Sequence, residues 1–145
     1  MIDITISNDY NPSLSYNDKN IKHLSELVLT SENFNTATIA IILSNRKYLN
    51  SLKKQYFNLD VNTDVIAFNL EDENDCLEGE IYISIDDVKE NAKDYSNSFN
   101  EEFSRVLIHG ILHLTGYNDG SKEEKKIMRK LEDKYLLLSE GSLVL

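Results

Sequence analysis

Two of the chain's three histidines, His109 and His113, lie four residues apart and could bind one metal ion together. On a helix, positions i and i+4 lie one above the other on the same face. Gly116 follows the second histidine by three residues and can end such a helix in a left-handed turn. The chain can then reverse direction and bring Asp119 to the same ion. Two histidines and one carboxylate leave a coordination position open, which is typical of a catalytic rather than a structural metal site.

The spacing of this motif is close to the zinc peptidase pattern H-E-x-x-H-x-x-G-x-x-H. In that pattern the Glu beside the first His serves as the general base. Gly110 occupies this position here and has no side chain that could take a proton. The motif therefore predicts a zinc site but argues against peptide hydrolysis by this route.

A zinc ion held by these side chains would bind a water molecule and lower its pKa. In favourable sites the pKa of that water falls to about 7, from about 9 for the aqueous ion, and the ion can also polarise a phosphoryl oxygen. The carboxylate of Asp119 would cancel one positive charge of the ion. We therefore expect one zinc ion per chain, at a site that also tolerates Mn, Fe or Ni.

The segments that must position this motif follow two hydrophobic periods. Alternating or continuous apolar residues predict four strands, over residues 1–7, 38–43, 63–68 and 80–85. Helical spacing predicts helices over residues 17–29, after an N-cap at Ser44, over residues 86–95, through the motif and at the end of the chain. We expect Asn100 to cap the motif helix and Ser121 to open the last helix with a capping box.

Two of these helices have apolar faces that we expect to point toward the core. The face of the helix after Ser44 consists of Tyr48, Leu49, Leu52 and Tyr56. The face of the last helix consists of Ile127, Met128, Leu131 and Tyr135. The acidic segment over residues 70–78 is predicted to be a solvated loop.

The order β-α-β-α-β-β-α-α, with the additional short helix over residues 86–95, predicts an α+β fold. We expect a small mixed four-stranded sheet packed with about five helices, one of them a zincin-like metal helix. A chain of 145 residues can bury one substantial core, so we expect a single domain over residues 1–145.

Composition and charge exclude several classes of function. No apolar run approaches the roughly 20 residues of a membrane span, and no secretory signal is visible. The single Cys76 cannot form an internal disulfide, and together with the absence of a visible signal this favours the cytoplasm. We also expect a monomer without a membrane or DNA partner. The net charge of −10 argues against non-specific binding of DNA or RNA by bulk electrostatics. Local basic grooves could still form from two segments: Arg46, Lys47, Lys53 and Lys54, and Lys122, Lys125, Lys126, Arg129 and Lys130.

Three segments of the chain resemble the YbeY family of bacterial endoribonucleases, which mature ribosomal RNA. The motif HGILHLTGYND is similar to the family signature H-G-x-L-H-L-x-G-Y-D-H. The segment TDVIAF resembles the family's T-D-V-L-S-F, and GEIYIS resembles its G-D-I-x-I-S, in the family's order and spacing. Together the matching segments cover residues 36–135.

The resemblance implies a zinc-dependent endoribonuclease that acts on single-stranded RNA. It implies roles in 3′-end maturation of small-subunit ribosomal RNA and in ribosome quality control. The implied partners are ribosomal RNA, the small ribosomal subunit and an assembly GTPase. By the same resemblance His109 and His113 take the first two zinc-ligand positions, and Asp119 stands where the family has a third His. Asn118 replaces the family Asp just before it.

A second departure from the family concerns a cation. The family segment L-N-x-x-Y-R ends in an Arg that contacts RNA or stabilises charge, and the similar segment LKKQYF ends here in Phe57. Phe cannot neutralise a phosphate, so either another cation substitutes or activity is reduced. The substitutes that we consider are Arg46, Lys54 and Arg105.

Three residues are our candidates for catalysis besides the metal ligands: Asp64, Glu80 and Arg105. Asp64 and Glu80 could border the cleft and relay a proton or orient the attacking water, but either could equally be an exposed strand carboxylate. Arg105 precedes His109 by one helical turn. It could contact RNA or pair with a neighbouring glutamate of its own helix.

Three rival functions stay open at this point. A metallopeptidase is disfavoured by the absent Glu at position 110. A ribosome-assembly factor that keeps its metal for stability without catalysis is favoured by Phe57 and by the net charge of −10. A mononuclear iron oxygenase also uses two His and one carboxylate, but the helical spacing of the motif argues against it.

Overall fold

The structure, a computed structural model, describes residues 1–70 and 76–145. In these residues the strands are β1 (Ile2–Asn8), β2 (Ala37–Ser44), β3 (Val65–Asn69) and β4 (Leu77–Ser84). The helices are α1 (Asp18–Ser31), α2 (Arg46–Phe57), α3 (Ile85–Asp94), α4 (Phe99–Leu114) and α5 (Lys122–Leu138). The predicted class, a small mixed four-stranded sheet with about five helices, is confirmed.

The sheet has the strand order β1-β2-β4-β3. Strands β1, β2 and β4 are parallel, and β3 runs antiparallel to β4 at one edge. The continuous apolar run of β2 explains its inner position, because a parallel strand is covered on both faces. The alternation in β4 separates two faces: Ile81 and Ile83 are fully buried, and Glu80 and Tyr82, which alternate with them, are half-buried.

The two faces of the sheet carry cores of different size. The main core lies on the face of Ile81 and Ile83, where α4 contacts β3, β4 and the helices α1, α3 and α5. On the opposite face a small cluster of Leu49, Leu52 and Ile66 joins α2 to the sheet. Helix α4 is thus central to the fold, and its residues can be positioned from several sides.

Two predictions about α2 are wrong. The N-cap is Asn45, whose side chain accepts from the backbone N–H of Tyr48, because Ser44 is still paired with Ser84 in the sheet. Tyr48 and Tyr56 do not face the core: their side chains are 46% and 60% exposed. Their rings lie at the border of the small cluster, where Tyr48 contacts Tyr82 and Tyr56 contacts Phe68.

Two predictions about α4 and α5 are wrong, and one is confirmed. The N-cap of α4 is Ser98, and Asn100 instead accepts from the backbone N–H groups of Leu143 and Val144. Ile127 is 49% exposed, because the inward face of α5 includes Glu132. The capping box of Ser121 with Glu124 is present as predicted.

The predicted loop over residues 70–78 can be compared only in part. Residues 71–75 lie outside the described residues, and β4 already begins at Leu77 rather than at residue 80. None of the helices in the described ranges combines the length and the apolarity that a membrane crossing requires.

Candidate metal centre

Helix α4 carries His109 and His113 on one face and approaches the sheet closely. The centroids of the two imidazole rings lie 4.6 Å apart. Gly110 is buried against the sheet, where a Cβ would lie 3.0 Å from Cγ2 of Ile81 and 3.2 Å from Cγ2 of Val65. The missing side chain therefore allows the close contact of α4 with β3 and β4, which holds the histidines beside the edge strand.

Helix α4 ends in a left-handed turn at Gly116, whose φ is +111°. The N–H of Gly116 donates to the carbonyl of His113, and the N–H of Tyr117 donates to the carbonyl of Leu112, both at 3.1 Å. This pair of bonds is a Schellman motif, which favours glycine at the left-handed position. The chain reverses here and brings Asp119 back to the two histidines, as the spacing predicts.

Three ligand atoms converge at this point, and we call His109, His113 and Asp119 the metal triad. The two Nε2 atoms lie 3.0 Å apart, and Oδ2 of Asp119 lies 3.2 Å from Nε2 of His109 and 3.5 Å from Nε2 of His113. A tetrahedral ion with bonds of about 2.0–2.2 Å separates its ligands by about 3.3–3.6 Å. The residues present therefore fit a divalent ion.

The outer nitrogens of both imidazoles are held by acceptors. Nδ1 of His113 lies 2.9 Å from the carbonyl oxygen of Tyr117, which can only accept, so this nitrogen carries the proton. Nδ1 of His109 donates in the same way to Oε2 of Glu132 at 2.7 Å. In the neutral imidazoles, which are the form that binds a metal, both Nε2 atoms present lone pairs to each other and to the carboxylate of Asp119. Three acceptors facing one another are stabilised by a cation between them.

Arg105 supports His109 through Glu132. Its guanidinium donates to Oε1 of Glu132 at 3.0 Å and to Oδ1 of Asp133 at 2.8 Å. The side chain of Glu132 is only 7% exposed, so its charge depends on these partners. Burial lowers the pKa of His109, but the hydrogen bond and charge of Glu132 outweigh burial and leave the pKa raised. The structure thus places the catalytic candidate Arg105 behind the metal triad, where it orients a ligand.

A second support reaches His113 through the turn. The hydroxyl of Tyr117, whose carbonyl accepts from His113, donates to Oε1 of Glu32 at 2.6 Å. The hydroxyl of the buried Tyr135 donates to the other carboxylate oxygen of Glu32. The C-terminal ends of α1 and α5 therefore fix the turn that positions His113.

The other two catalytic candidates lie on different sides of the sheet. Asp64 precedes β3 and lines the space beside His109, and its side chain accepts from Nδ2 of Asn91 at 3.2 Å. Burial raises the pKa of Asp64. Glu80 does not reach this space, because it alternates with Ile81 and lies on the face that is turned away from α4. A role for Glu80 at the metal triad is therefore not supported.

Two clefts meet at the metal triad. The first, which we call the α2 cleft, has a volume of about 490 Å³ and extends from Lys53 and Phe57 across β3 to the triad. The second, which we call the α5 cleft, has a volume of about 300 Å³ and lies between α4 and α5, beside Lys125 and Arg129. His109, Asp119 and Asp64 line both clefts, so an extended ligand could lie across the metal site.

The cations that we considered as substitutes for the family Arg are paired elsewhere. Arg46 binds Asp87 and Glu90 of α3, and Lys54 lies 3.5 Å from Asp60. Neither lines the α2 cleft or the α5 cleft. The sequence names Lys53 only as part of a basic segment and not as a substitute for the family Arg, although it lies one helical turn before Phe57. Sequence reasoning missed Glu132, for which no local motif exists.

Replacing Gly110 by Glu would give the peptidase sequence H-E-x-x-H but would not place a general base at the metal. The new side chain would enter the contact of α4 with Ile81 and Val65, so its carboxylate would be buried among apolar groups. We expect a loss of several kcal/mol in unfolding free energy and no peptide release from an unstructured substrate. Thermal denaturation and a peptide-release assay measure both.

A Gly120→Glu variant is the matched control, because a Cβ at position 120 meets only the Glu124 side chain, at 3.7 Å. A Gly110→Glu protein that folds normally and releases peptides would instead support the peptidase.

Comparisons with known proteins identify relatives of this chain. A protein-family model described as Endoribonuclease YbeY matches residues 4–139. A protein of Flavobacterium psychrophilum named Endoribonuclease YbeY is 45% identical over 113 residues, 77% of this chain and 79% of that protein. A protein of Flavobacterium johnsoniae with the same name is 40% identical over 111 residues, again 77% and 79%. A solution structure of TM1509 from Thermotoga maritima matches with 31% sequence identity and a TM-score of 0.60. The match covers 94% of this chain and 87% of the Thermotoga chain.

Proposed function

The chain belongs to the endoribonuclease YbeY family, and from this premise we propose that it is a zinc-dependent endoribonuclease that cleaves single-stranded RNA. We propose that it matures the 3′ end of small-subunit ribosomal RNA in the cytoplasm and takes part in ribosome quality control. The small ribosomal subunit and an assembly GTPase are the partners that we propose for these roles.

The observation that carries the proposal is the metal triad at the meeting point of two clefts. Its three ligand atoms lie 3.0–3.5 Å apart and converge on one point. A divalent ion held there would supply Lewis acidity, which acidifies a hydroxyl group and neutralises charge on a phosphate. The position of the triad between the clefts supports an extended substrate such as an RNA strand.

The protein's own residues supply the other parts of the reaction. We propose that Asp64, a half-buried carboxylate that lines both clefts, accepts the proton of the attacking hydroxyl group. Glu132 and the carbonyl of Tyr117 keep the two imidazoles oriented with their Nε2 atoms inward. Because the net charge is −10, recognition of RNA depends on local cations, with Lys125 and Arg129 available in the α5 cleft.

The proposal is tested by cleavage of a short single-stranded RNA after loading with zinc, manganese, iron(II) or nickel. We expect cleavage of the single strand, slower cleavage of a matching duplex, and loss of activity in Asp119→Ala but not in Asp94→Ala, which changes an exposed carboxylate of α3. Products with a 5′-phosphate indicate attack by water, and products with a 2′,3′-cyclic phosphate indicate attack by the 2′-hydroxyl. A protein that binds metal but cleaves no RNA under any loading overturns the proposal in favour of a non-catalytic assembly factor.

A further inference from the structure

We propose that Phe57 and Lys53 form a nucleotide subsite in the α2 cleft, in which the Phe57 ring stacks on one unpaired base and the Lys53 ammonium contacts an adjacent phosphate. The inference rests on the proposed function, because it names how the same cleft recognises single-stranded RNA. Both side chains line the α2 cleft together with His109, His113 and Asp119. A base bound at this subsite would therefore lie close to the metal triad.

The ring of Phe57 is exposed and yet fixed in place. Phe57 is 43% exposed. Its ring stacks on that of Phe68 at 5.8 Å with an interplanar angle of 17°. Phe68 is held in turn by edge-to-face contacts with Tyr56 and Tyr82, at 5.3 Å and 5.8 Å. An aromatic surface that is already ordered loses little conformational freedom when a base stacks on it.

In the described part of the chain, Lys53 is a cation of this cleft without a carboxylate partner. Among residues 1–70 and 76–145, no carboxylate oxygen lies within 4 Å of its Nζ, whereas the adjacent Lys54 has Asp60 at 3.5 Å. Its Nζ makes a cation–π contact with the ring of Phe57, whose centroid lies 4.7 Å away. An exposed cation–π contact is weaker than base–aromatic stacking together with an ammonium–phosphate contact. The base of a bound nucleotide would therefore displace the Lys53 ammonium from the Phe57 ring, and the ammonium would then contact a phosphate of the same RNA.

The subsite explains a preference for single strands. A base in a duplex is covered on both faces by its neighbours, so only an unpaired base can offer a free face to Phe57. On the other side of the metal triad, Lys125 and Arg129 line the α5 cleft. A strand that contacts both clefts would place one of its phosphates at the triad.

The test compares the binding of a short single-stranded oligoribonucleotide with that of an abasic oligomer of the same length. Kd is measured by fluorescence anisotropy in the presence of a chelator, which removes the metal and so keeps the RNA intact. KM for cleavage is measured in parallel on the metal-loaded protein. We expect Phe57→Leu to weaken binding of the base-containing RNA by about fivefold or more and to leave binding of the abasic oligomer unchanged, whereas Phe57→Trp retains binding. We expect Lys53→Ala to weaken the binding of both oligomers and to reduce the slope of log Kd against the logarithm of the salt concentration by about 0.7.

Neighbouring residues of the same helix serve as matched controls. Tyr48→Leu removes an exposed ring that contacts Tyr82 and does not line the cleft. Lys54→Ala removes the cation that Asp60 neutralises. Both should behave like the wild type. If the wild type cleaves RNA and the Phe57→Leu and Lys53→Ala variants match it in Kd, KM and salt slope, the subsite is wrong and the proposed function stands. If the wild type neither binds nor cleaves RNA with metal present, the proposed function fails and the subsite fails with it.

Discussion

Replacing His113 by Ala is expected to lower cleavage of single-stranded RNA at least about 10³-fold, since a catalytic metal contributes several kcal/mol to the transition state and each ~1.4 kcal/mol is a factor of ten. The same variant should lose most of its bound metal, because only two ligands of the triad remain. Metal content per chain by mass spectrometry and the cleavage rate on one RNA measure both effects. We expect the fold to persist, because the side chain of His113 is 28% exposed and its truncation removes one hydrogen bond to the turn.

His23→Ala is the matched control, since the third histidine of the chain lies exposed on α1, away from the triad. It should keep full metal content and full activity. A His113→Ala protein that retains one metal per chain and the wild-type rate would show that the triad is not the metal site.

Replacing Glu132 by Ala is expected to lower metal affinity by about 10- to 100-fold, the usual effect of removing the hydrogen-bond partner of a ligating histidine. It should also lower the unfolding free energy by about 3–5 kcal/mol, because the guanidinium of Arg105 would keep its burial and lose its buried partner. Competition with a fluorescent chelator and urea denaturation measure the two quantities separately. Glu132→Gln, which can still accept from Nδ1 of His109, should fall between Ala and the wild type in both.

Asp133→Ala provides the comparison for the same guanidinium. Asp133 also binds Arg105, but its side chain is 57% exposed, and exposed ion pairs contribute about 0–1 kcal/mol. We expect it to have near-normal metal affinity and stability. Equal effects of Glu132→Ala and Asp133→Ala on metal affinity would contradict an orienting role for Glu132.

The parts of the site that the sequence predicts correctly are those whose residues are close together in the chain. The metal triad spans one helix and one turn, so helical geometry and a glycine at the left-handed position are enough to bring His109, His113 and Asp119 together. The strands and helices follow in the same way from local periods of apolar residues. The third strand and the fourth strand differ from prediction only at their ends, where sheet pairing decides the boundary.

The parts that the sequence does not predict depend on residues far apart in the chain. Hydrophobicity assigns Ile127 to the inner face of α5, but the inner face contains Glu132, because Arg105 and His109 stabilise its charge there. Asn100 has the chemistry of an N-cap and instead binds a segment more than 40 positions later. Tertiary contacts decide which of several nearby residues faces the core or caps a helix. Such contacts produce no periodic pattern in the sequence.

The supports behind the triad are unevenly distributed, and this has an evolutionary consequence. His109 and His113 are each held by a second group, and that group is tied to another element by Arg105 or Glu32. Asp119 lies on the loop after α4, is 42% exposed, and has the two imidazoles as its recorded contacts in the described part of the chain. Mutation at this one position can therefore exchange the donor and retune metal preference without repacking the core.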